Sequence, residues 1–151
     1  MVFYGTEANF SDNNGNLLMS SNGIWIANAA GDTMMNGSGL NPSPFTSNWP
    51  NGIPFSLINL FLPMPGDSSK FVLFHKTLYG TLTPANSGFY YSLINITLNN
   101  GLGAVINKND TLLVDTLSWG VGACPAARFR PSFSSIKVMP FKRTCARQMC
   151  P

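Results

Sequence analysis

The chain has 151 residues, of which 44% are hydrophobic, 12% aromatic and only 10% charged, and it contains 14 glycines and 11 prolines. Globular proteins usually have about 25% charged residues, so this composition excludes a coiled coil, a charged helical bundle and a region kept disordered by charge repulsion. The aromatic side chains supply apolar surface for a core, and the glycines and prolines favour turns. The composition therefore predicts a globular protein rich in strands and turns.

Asn-Gly dipeptides recur along the chain. Both residues tolerate positive φ, and the dipeptide therefore favours the type I′ turns that join the two strands of a β-hairpin. The first 120 residues contain five of them: Asn14-Gly15, Asn22-Gly23, Asn36-Gly37, Asn51-Gly52 and Asn100-Gly101. This frequency predicts β-structure built from hairpins.

Short stretches between the turns have the length and residue types of β-strands. In chain order they are 16–20, 24–28, 55–62, 71–76, 89–98 and 111–117. The first two flank Asn22-Gly23 and predict a tight hairpin. Alternate residues of the fifth stretch form a predicted core face; they are Tyr90, Ser92, Ile94, Ile96 and Leu98. No stretch has the periodicity and caps of a helix.

Residues 55–117 together predict four consecutive strands in an antiparallel meander. Such a meander is the blade of a β-propeller, in which each blade packs its faces on its neighbours. A hairpin within residues 10–30 would then belong to an adjacent blade. A closed barrel or a sandwich-like single domain fits the same strand lengths, and periodicity alone does not separate these architectures.

The C-terminal region differs from the rest in charge and cysteine content. The residues before Gly120 carry a net charge of −3, whereas the last 31 residues carry +6, contain no acidic residue and hold all three cysteines, Cys124, Cys145 and Cys150. With His75 as the sole histidine and no CxxC pair, the chain lacks a zinc ligand set. We predict no metal site and no cofactor. The basic tail contains no nucleic-acid-binding module, so no nucleic-acid partner is expected.

Short motifs follow one another in a characteristic order over residues 10–124. They are Asn16-Leu-Leu-Met-Ser-Ser-Asn-Gly23 with Trp25, Met35-Asn-Gly-Ser-Gly-Leu40, Pro63-Met-Pro-Gly66, Tyr91-Ser92, Ile94-Asn-Ile-Thr-Leu98, Gly101-Leu-Gly-Ala-Val105, Lys108-Asn109, Leu113, Asp115-Thr-Leu117 and Gly122-Ala-Cys124. In this order they resemble the N-terminal β-propeller region of secreted or cell-surface bacterial proteins that carry gliding-motility-associated, type IX secretion sorting domains at the C-terminus.

The resemblance implies an all-β fold, a partial propeller of about one to two blades over residues 1–124, with a hairpin at 10–30 and a blade at about 55–117. It also implies a non-catalytic structural or interaction module, secreted or at the cell surface. Its partners would be the remaining blades of a longer parent chain and an unidentified protein or glycan. The N-terminus shows no signal peptide, and no apolar stretch approaches the ~20 residues of a membrane-spanning helix.

The resemblance ends after Cys124, at the point where the charge and cysteine content change. The chain continues with Pro125-Ala-Ala-Arg-Phe-Arg-Pro131 instead of a further polar, aromatic-rich segment. We therefore expect residues 125–151 to be a disordered or out-of-frame tail. Translation of the coding DNA in the other two frames after Ala123 tests this expectation.

The sequence offers little support for an enzyme. A nucleophilic mechanism needs Ser or Cys beside a positioned base, and His75 lies in an apolar strand, where an edge or packing role is expected. Acid–base hydrolysis needs two carboxylates that face one cleft, and of the acidic residues only Asp115 lies in a predicted strand. A hydrolase is thus the least favoured class, and no catalytic residue is predicted.

Two short motifs fail as ligand sites. Asp12-Asn-Asn-Gly-Asn16 spaces oxygen ligands like a calcium loop, but Leu17 and Gly23 occupy the positions of its essential Gly and Glu. Gly101-Leu-Gly103 is too short to hold a phosphate. N-glycosylation patterns include those that begin at Asn36, Asn95 and Asn109.

Aromatic side chains give the alternative function, a carbohydrate-binding β-domain. Trp25, Trp49, Tyr79 and Tyr90 are the candidates to stack on sugars, although most aromatics in such a chain belong to the core. Loss of polysaccharide retention on mutation of an exposed Trp would favour this alternative.

Overall fold

A computed structural model describes residues 1–56, 59–79, 87–117 and 123 of the chain. Within these residues the protein is all-β, with eight strands and one short helix. The all-β prediction is confirmed. The basic tail at 125–151 and its cysteines lie outside the described residues.

The first four strands form an antiparallel meander of short strands. They are β1 (Ala8–Ser11), β2 (Leu17–Ser21), β3 (Trp25–Asn28) and β4 (Thr33–Ser38). Between β1 and β2 the backbone N–H of Gly15 donates to the carbonyl of Asp12 at 3.0 Å, and Gly15 has a φ of 84°. Only glycine adopts this conformation without strain, so the Asn-Gly signal at this position does specify a hairpin turn.

A single short helix, α1 (Pro44–Ser47), follows the first meander. Ser43 caps it, because the Ser43 hydroxyl accepts a hydrogen bond from the Thr46 N–H at 3.0 Å. Pro44 occupies the first helical position, where the missing N–H leaves no hydrogen bond unmade. Among the described residues, no helix is long and apolar enough to cross a membrane.

The last four strands form a second antiparallel meander, in which three of the strands are longer than any in the first. They are β5 (Asn59–Met64), β6 (Asp67–Leu78), β7 (Ser87–Asn95) and β8 (Ala104–Asp115). Pro63 lies within β5, opposite Phe71. Because β5 is the terminal strand of the sheet, the hydrogen bond that Pro63 cannot donate is not needed by a further strand.

The two meanders belong to one sheet with the order β1-β2-β3-β4-β8-β7-β6-β5. They join where β4 runs parallel to β8, at the pair Met35 and Ala104. At the other end β1 lies against β5, and the rings of Phe10 and Phe71 are 4.8 Å apart. The sheet is therefore mixed and nearly closed, like a barrel. Propeller blades are separate sheets, and the predicted propeller of one to two blades is not confirmed.

The interior of this barrel-like sheet holds the main core. Both meanders contribute to it through Met19, Ile26, Met34, Leu40, Phe61, Phe71, Leu73, Ile94 and Val105. The inward residues of β6 and β7 alternate with outward ones, as the period of a strand requires. The predicted core face of β7 is confirmed at Tyr90, Ser92 and Ile94, which are all buried.

A second apolar layer covers the outside of the second meander. Val72, Phe74 and Phe89 are 8%, 7% and 5% exposed and form its centre. Half-buried side chains pack around them: Leu60, Leu62, Met64, Tyr91, Leu93 and Leu117. We call these nine residues the outer layer. The second meander is therefore apolar on both faces.

All six predicted strands correspond to observed ones, with shifted boundaries. Two strands were not predicted. β1 is short and largely polar. β4 contains Asn36-Gly37, a dipeptide that predicts a turn. Asn36 does have a φ of 59°, but Gly37 continues the strand, and a Cβ there would come within 2.9 Å of the Ile26 and Met34 carbonyl oxygens.

Candidate functional site: a buried serine, histidine and asparagine

His75 is fully buried in the interior of the sheet. It lies on β6, between β5 and β7, opposite Asn59 on one side and Tyr90 on the other. The strand period places it on the same face as Phe71 and Leu73. His75 therefore has the packing position that is expected of it. Its neighbours in space are polar, however, and the apolar residues around it in the sequence do not predict this.

Both ring nitrogens of His75 have hydrogen-bond partners. Nδ1 lies 2.8 Å from the Asn41 side-chain oxygen, and Nε2 lies 2.8 Å from the Ser92 hydroxyl. The Asn41 amide nitrogen donates to the carbonyl of Gly23 at 2.9 Å, so the atom that faces His75 is the acceptor. The Nδ1 atom must therefore carry the proton, and Nε2 accepts from Ser92.

The same network extends to β8 through Asn109. The Ser92 oxygen accepts a hydrogen bond from the Asn109 N–H at 3.1 Å, and the Asn109 side-chain oxygen accepts from the Asn41 N–H at 3.1 Å. Its amide nitrogen donates to the carbonyl of Gly39 at 2.9 Å. Three segments of the chain, 39–41, β6–β7 and β8, thus meet at one set of hydrogen bonds.

Tyrosine rings close one side of this site. The ring of Tyr90 stacks on that of His75 with centroids 5.7 Å apart, and its hydroxyl hydrogen-bonds that of Tyr79. Both hydroxyls lie over Gly88, where a Cβ would come within 2.6 Å of each. Burial and the Tyr79 hydroxyl raise the pKa of Tyr90 above its usual range, so the phenol stays neutral.

A hydroxyl cluster continues the polar region towards α1. Thr77 on β6 lies 2.9 Å from the Ser43 hydroxyl and 2.8 Å from that of Thr46. The residue that caps the helix therefore also ties it to the sheet. These buried hydroxyls satisfy one another, as buried polar groups must.

Burial determines the charge of His75. Desolvation lowers its pKa from 6.5 to about 3, because a charged imidazolium without an anionic partner is unfavourable in the interior. The histidine is therefore neutral at physiological pH. Lys76, the next residue on β6, has its pKa lowered to about 8 by burial, and its Nζ donates to the carbonyl of Leu117 at 2.9 Å.

The hydrogen bonds run in the order nucleophile, base and orienting group. A serine hydroxyl that donates to a histidine, which in turn donates to an amide oxygen, is the arrangement that activates a nucleophile in hydrolases. Here Ser92, His75 and Asn41 each have no solvent exposure, and the Ser92 oxygen already accepts from Asn109. In this conformation the arrangement can hold strands and a loop together but cannot reach a substrate.

The other candidate residues lie apart from this network. Asp115 is the exposed last residue of β8. Asp12 accepts hydrogen bonds from the N–H groups of Asn14 and Asn16, which closes the β1–β2 turn. Among the described residues, no group of three His, Cys, Asp or Glu side chains could hold a metal ion.

The asparagines of the glycosylation patterns at Asn36, Asn95 and Asn109 also have structural roles. Asn36 is exposed and donates to the carbonyl of Val105 at 3.4 Å. Asn95 accepts from the N–H and hydroxyl of Thr97 after β7. Asn109 belongs to the buried network and cannot carry a glycan without breaking it. Gly101 and Gly103 lie in the β7–β8 turn, both with positive φ.

The candidate aromatic residues divide between the interior and the surface. Tyr90 is buried, Trp25 and Tyr79 are half-buried, and Trp49 is exposed. Sequence reasoning missed Tyr4, which is exposed and lies against the same turn as Trp49: a Cβ on Gly52 would be 3.4 Å from the Tyr4 ring, and the Gly52 N–H donates to the Trp49 carbonyl. No local pattern could have brought residues so distant in sequence together.

Comparison of the chain with protein-family models, with curated proteins and with solved structures found no match. The resemblance over residues 10–124 therefore remains an expectation from the sequence.

Proposed function

We propose that this protein is a non-catalytic structural and interaction module whose second meander packs against a further layer of protein. The observation that carries the proposal is the outer layer. Sheets in solution usually keep one face polar, and sheets with two apolar faces are usually covered on both. The second meander has two apolar faces. Among the described residues outside the strands, only Leu117 belongs to the outer layer.

The driving force for this packing is the hydrophobic effect. Burial of one Val, Leu or Phe side chain contributes about 1.5–3 kcal/mol, and several half-buried side chains of the outer layer still have area to lose. A neighbouring sheet of the parent protein is the layer that we expect to cover this face. The finer architecture, a propeller of one to two blades, and the secreted or cell-surface setting belong to this proposal and rest on the sequence resemblance.

The buried serine, histidine and asparagine support the non-catalytic part of the proposal. A nucleophile must lie within reach of a substrate carbonyl, and Ser92 has no exposed surface. We expect no turnover of chromogenic esters or glycosides by the full chain. Turnover that disappears in Ser92→Ala or His75→Gln would overturn the non-catalytic assignment.

The outer layer is tested with charged substitutions at its rim. In Leu62→Lys and Tyr91→Lys the new ammonium group lies on the outer face, and the matched control is Leu102→Lys, at an exposed turn residue. We expect the wild-type chain and the control to bind an apolar fluorescent dye and the two rim variants to bind less. A wild-type chain that binds no dye would mean that the layer is already fully covered, against the proposal.

One observation favours glycan binding as a second candidate. Tyr4 and Trp49 are both exposed, the Tyr4 ring lies near Gly52, and Trp49 belongs to the turn that ends at Gly52. Exposed aromatic rings stack on the apolar faces of sugars. Retention of the chain on immobilised polysaccharide, lost in Trp49→Ala and kept in Trp25→Phe, would support this candidate. Equal retention of all three proteins would exclude it.

A further inference from the structure

The distal half of β8 extends beyond its neighbour β4. The two strands pair at Met35 and Ala104, and side chains then continue the junction: Lys108 Nζ donates to the carbonyls of Asn36 and Ser38, and Asn109 bonds residues 39 and 41. After Asp110, β8 pairs with β7 on one side. No other described strand lies along its second side.

The residues along this free edge of β8 include exposed apolar side chains. Leu112, Leu113 and Val114 are 46%, 38% and 53% exposed. Natural edge strands are commonly protected by lysine, proline or an inward charge. Lys108 provides such protection beside β4, but residues 110–115 contain neither lysine nor proline. An edge without lysine or proline is a template for a further strand.

The sequence of the edge is complementary to itself. An Asp-Thr dipeptide stands on each side of the three apolar residues, Asp110-Thr111 before and Asp115-Thr116 after. We propose that a second copy of this chain pairs with this edge, antiparallel and about a two-fold axis at Leu113. In that register Leu112 faces Val114, and every aspartate faces a threonine.

The charges select this register. A shift by one residue moves the axis between Leu112 and Leu113 and places Asp110 opposite Asp115 at both ends. Like charges directly opposite each other destabilise paired strands. An axis at Leu112 places Asp110 opposite Val114, which pairs a carboxylate with an apolar side chain. The Leu113 axis alone pairs apolar with apolar residues and keeps the carboxylates apart.

The interface is short. The register between β7 and β8 shifts between Phe89 and Tyr90, which leaves Leu112 as an extra residue in a β-bulge. Bulges twist an edge and limit how far pairing can extend. The dimer is therefore weak and forms at high protein concentration. The two-fold symmetry makes it closed, because each copy offers the same edge to the other.

The test measures the mass of the full chain by sedimentation equilibrium over a wide concentration range, with a reductant present to exclude disulfides. We expect a monomer–dimer equilibrium. Leu113→Lys places two like charges at the axis and should raise the dimer dissociation constant at least about tenfold. The matched control Leu102→Lys, which adds the same charge at a turn, should leave the constant unchanged.

Hydrogen exchange locates the contact. In the dimer, the amides of residues 111–115 that point away from β7 should exchange more slowly as concentration rises, and this protection should be absent in Leu113→Lys. Three results would each overturn the proposal: a chain that stays monomeric, a dimer equally stable in both variants, and protection of these amides that does not depend on concentration, which would mean that a segment of the same chain covers the edge. The rim variant Leu62→Lys, which lies on β5, should not change the dimer.

Discussion

The two meanders are built on the same plan of four antiparallel strands but bury different amounts of surface. In the first meander the strands are four to six residues long, and its outward face carries small or exposed residues such as Ser20, Ala27 and Met35. In the second, β6 and β8 have twelve residues each, and both faces are apolar. The first meander packs its inner face on the main core, whereas the second meander has an apolar region on each of its two faces.

Both meanders have four strands, so the difference between their roles comes from the residues on their outward faces. On the outer side of the first meander Met35 is exposed, whereas the small residues Ser20 and Ala27 are covered. The turns of this meander are fixed by local Asn and Asp side chains. The second meander also holds the polar site, through His75, Ser92 and Tyr90.

The largest effect is expected for loss of a ring from the outer layer. Phe74→Ala should lower the free energy of unfolding by about 3–5 kcal/mol, as large-to-small changes in a core do. The matched outward residue of the first meander, Met35, is 48% exposed, and Met35→Ala should cost no more than about 0.5 kcal/mol. Denaturant unfolding measures both. Similar small losses would mean that the second meander has no buried outer face.

The next effect is a pH dependence specific to the second meander. The unfolded chain protonates His75 below pH 6.5, whereas in the folded protein burial delays protonation until about pH 3. The unfolded state therefore binds more protons than the folded state between these two pH values. As the pH is lowered through this interval, the free energy of unfolding decreases by up to about 1.4 kcal/mol per pH unit.

The window from pH 6.5 to 4.5 isolates this histidine, because the pKa of Asp67 is lowered to about 2 by the Ser69 hydroxyl and by Lys70 and affects stability only below about pH 4. In His75→Gln the slope within this window should disappear, whatever the absolute stability of the variant. A slope that persists would mean that other groups titrate, and that His75 is not buried and neutral.

Gly88→Ala tests the close packing of the tyrosines. The added methyl group would meet the hydroxyls of Tyr79 and Tyr90 at 2.6 Å, and overpacking of this kind costs about 1–3 kcal/mol. Removal of the Tyr79 hydroxyl in Gly88→Ala/Tyr79→Phe should recover part of the loss. Full wild-type stability of Gly88→Ala would show that the rings do not lie over this glycine.

The smallest effect concerns the junction between the meanders. Lys108→Met keeps the aliphatic stem but removes the hydrogen bonds to Asn36 and Ser38, and should cost about 1 kcal/mol. The control Lys70→Met removes an exposed ion pair with Asp67 and should cost close to nothing. Equal losses would show that the junction does not depend on Lys108.

Local sequence patterns predicted much of the second meander and less of the first. The residue types of 71–76 predicted β6, and the alternation in 89–98 predicted β7 and its inward face as far as Ile94, because the period of a strand is a local property. Leu98, also assigned to that face, lies beyond the end of β7 and is exposed. β1, with the sequence Ala-Asn-Phe-Ser, is too short and polar to show such a period. In β4 the positive φ of Asn36 occurs within the strand, so a turn signal was present where no turn occurs.

The polar site could be predicted only in part. The alternation in 89–98 places Ser92 on an inward face, but its contact with His75 depends on the register of β6 against β7. Asn41 reaches His75 from a loop 34 residues earlier in the chain. Its φ of 54° brings its side chain to this position, and neither that geometry nor the parallel pairing of β4 and β8 leaves a local signal.

The junction between β4 and β8 has a consequence for how the protein folds. Each hairpin can form from its own turn, but the hydrogen bonds of the junction join residues that are 68 to 72 positions apart in the chain. Closing so long a loop is entropically unfavourable before the contacts form, and distant pairings slow folding. The two halves should therefore acquire protection early and independently, and the step that limits the rate should be the docking of one half on the other.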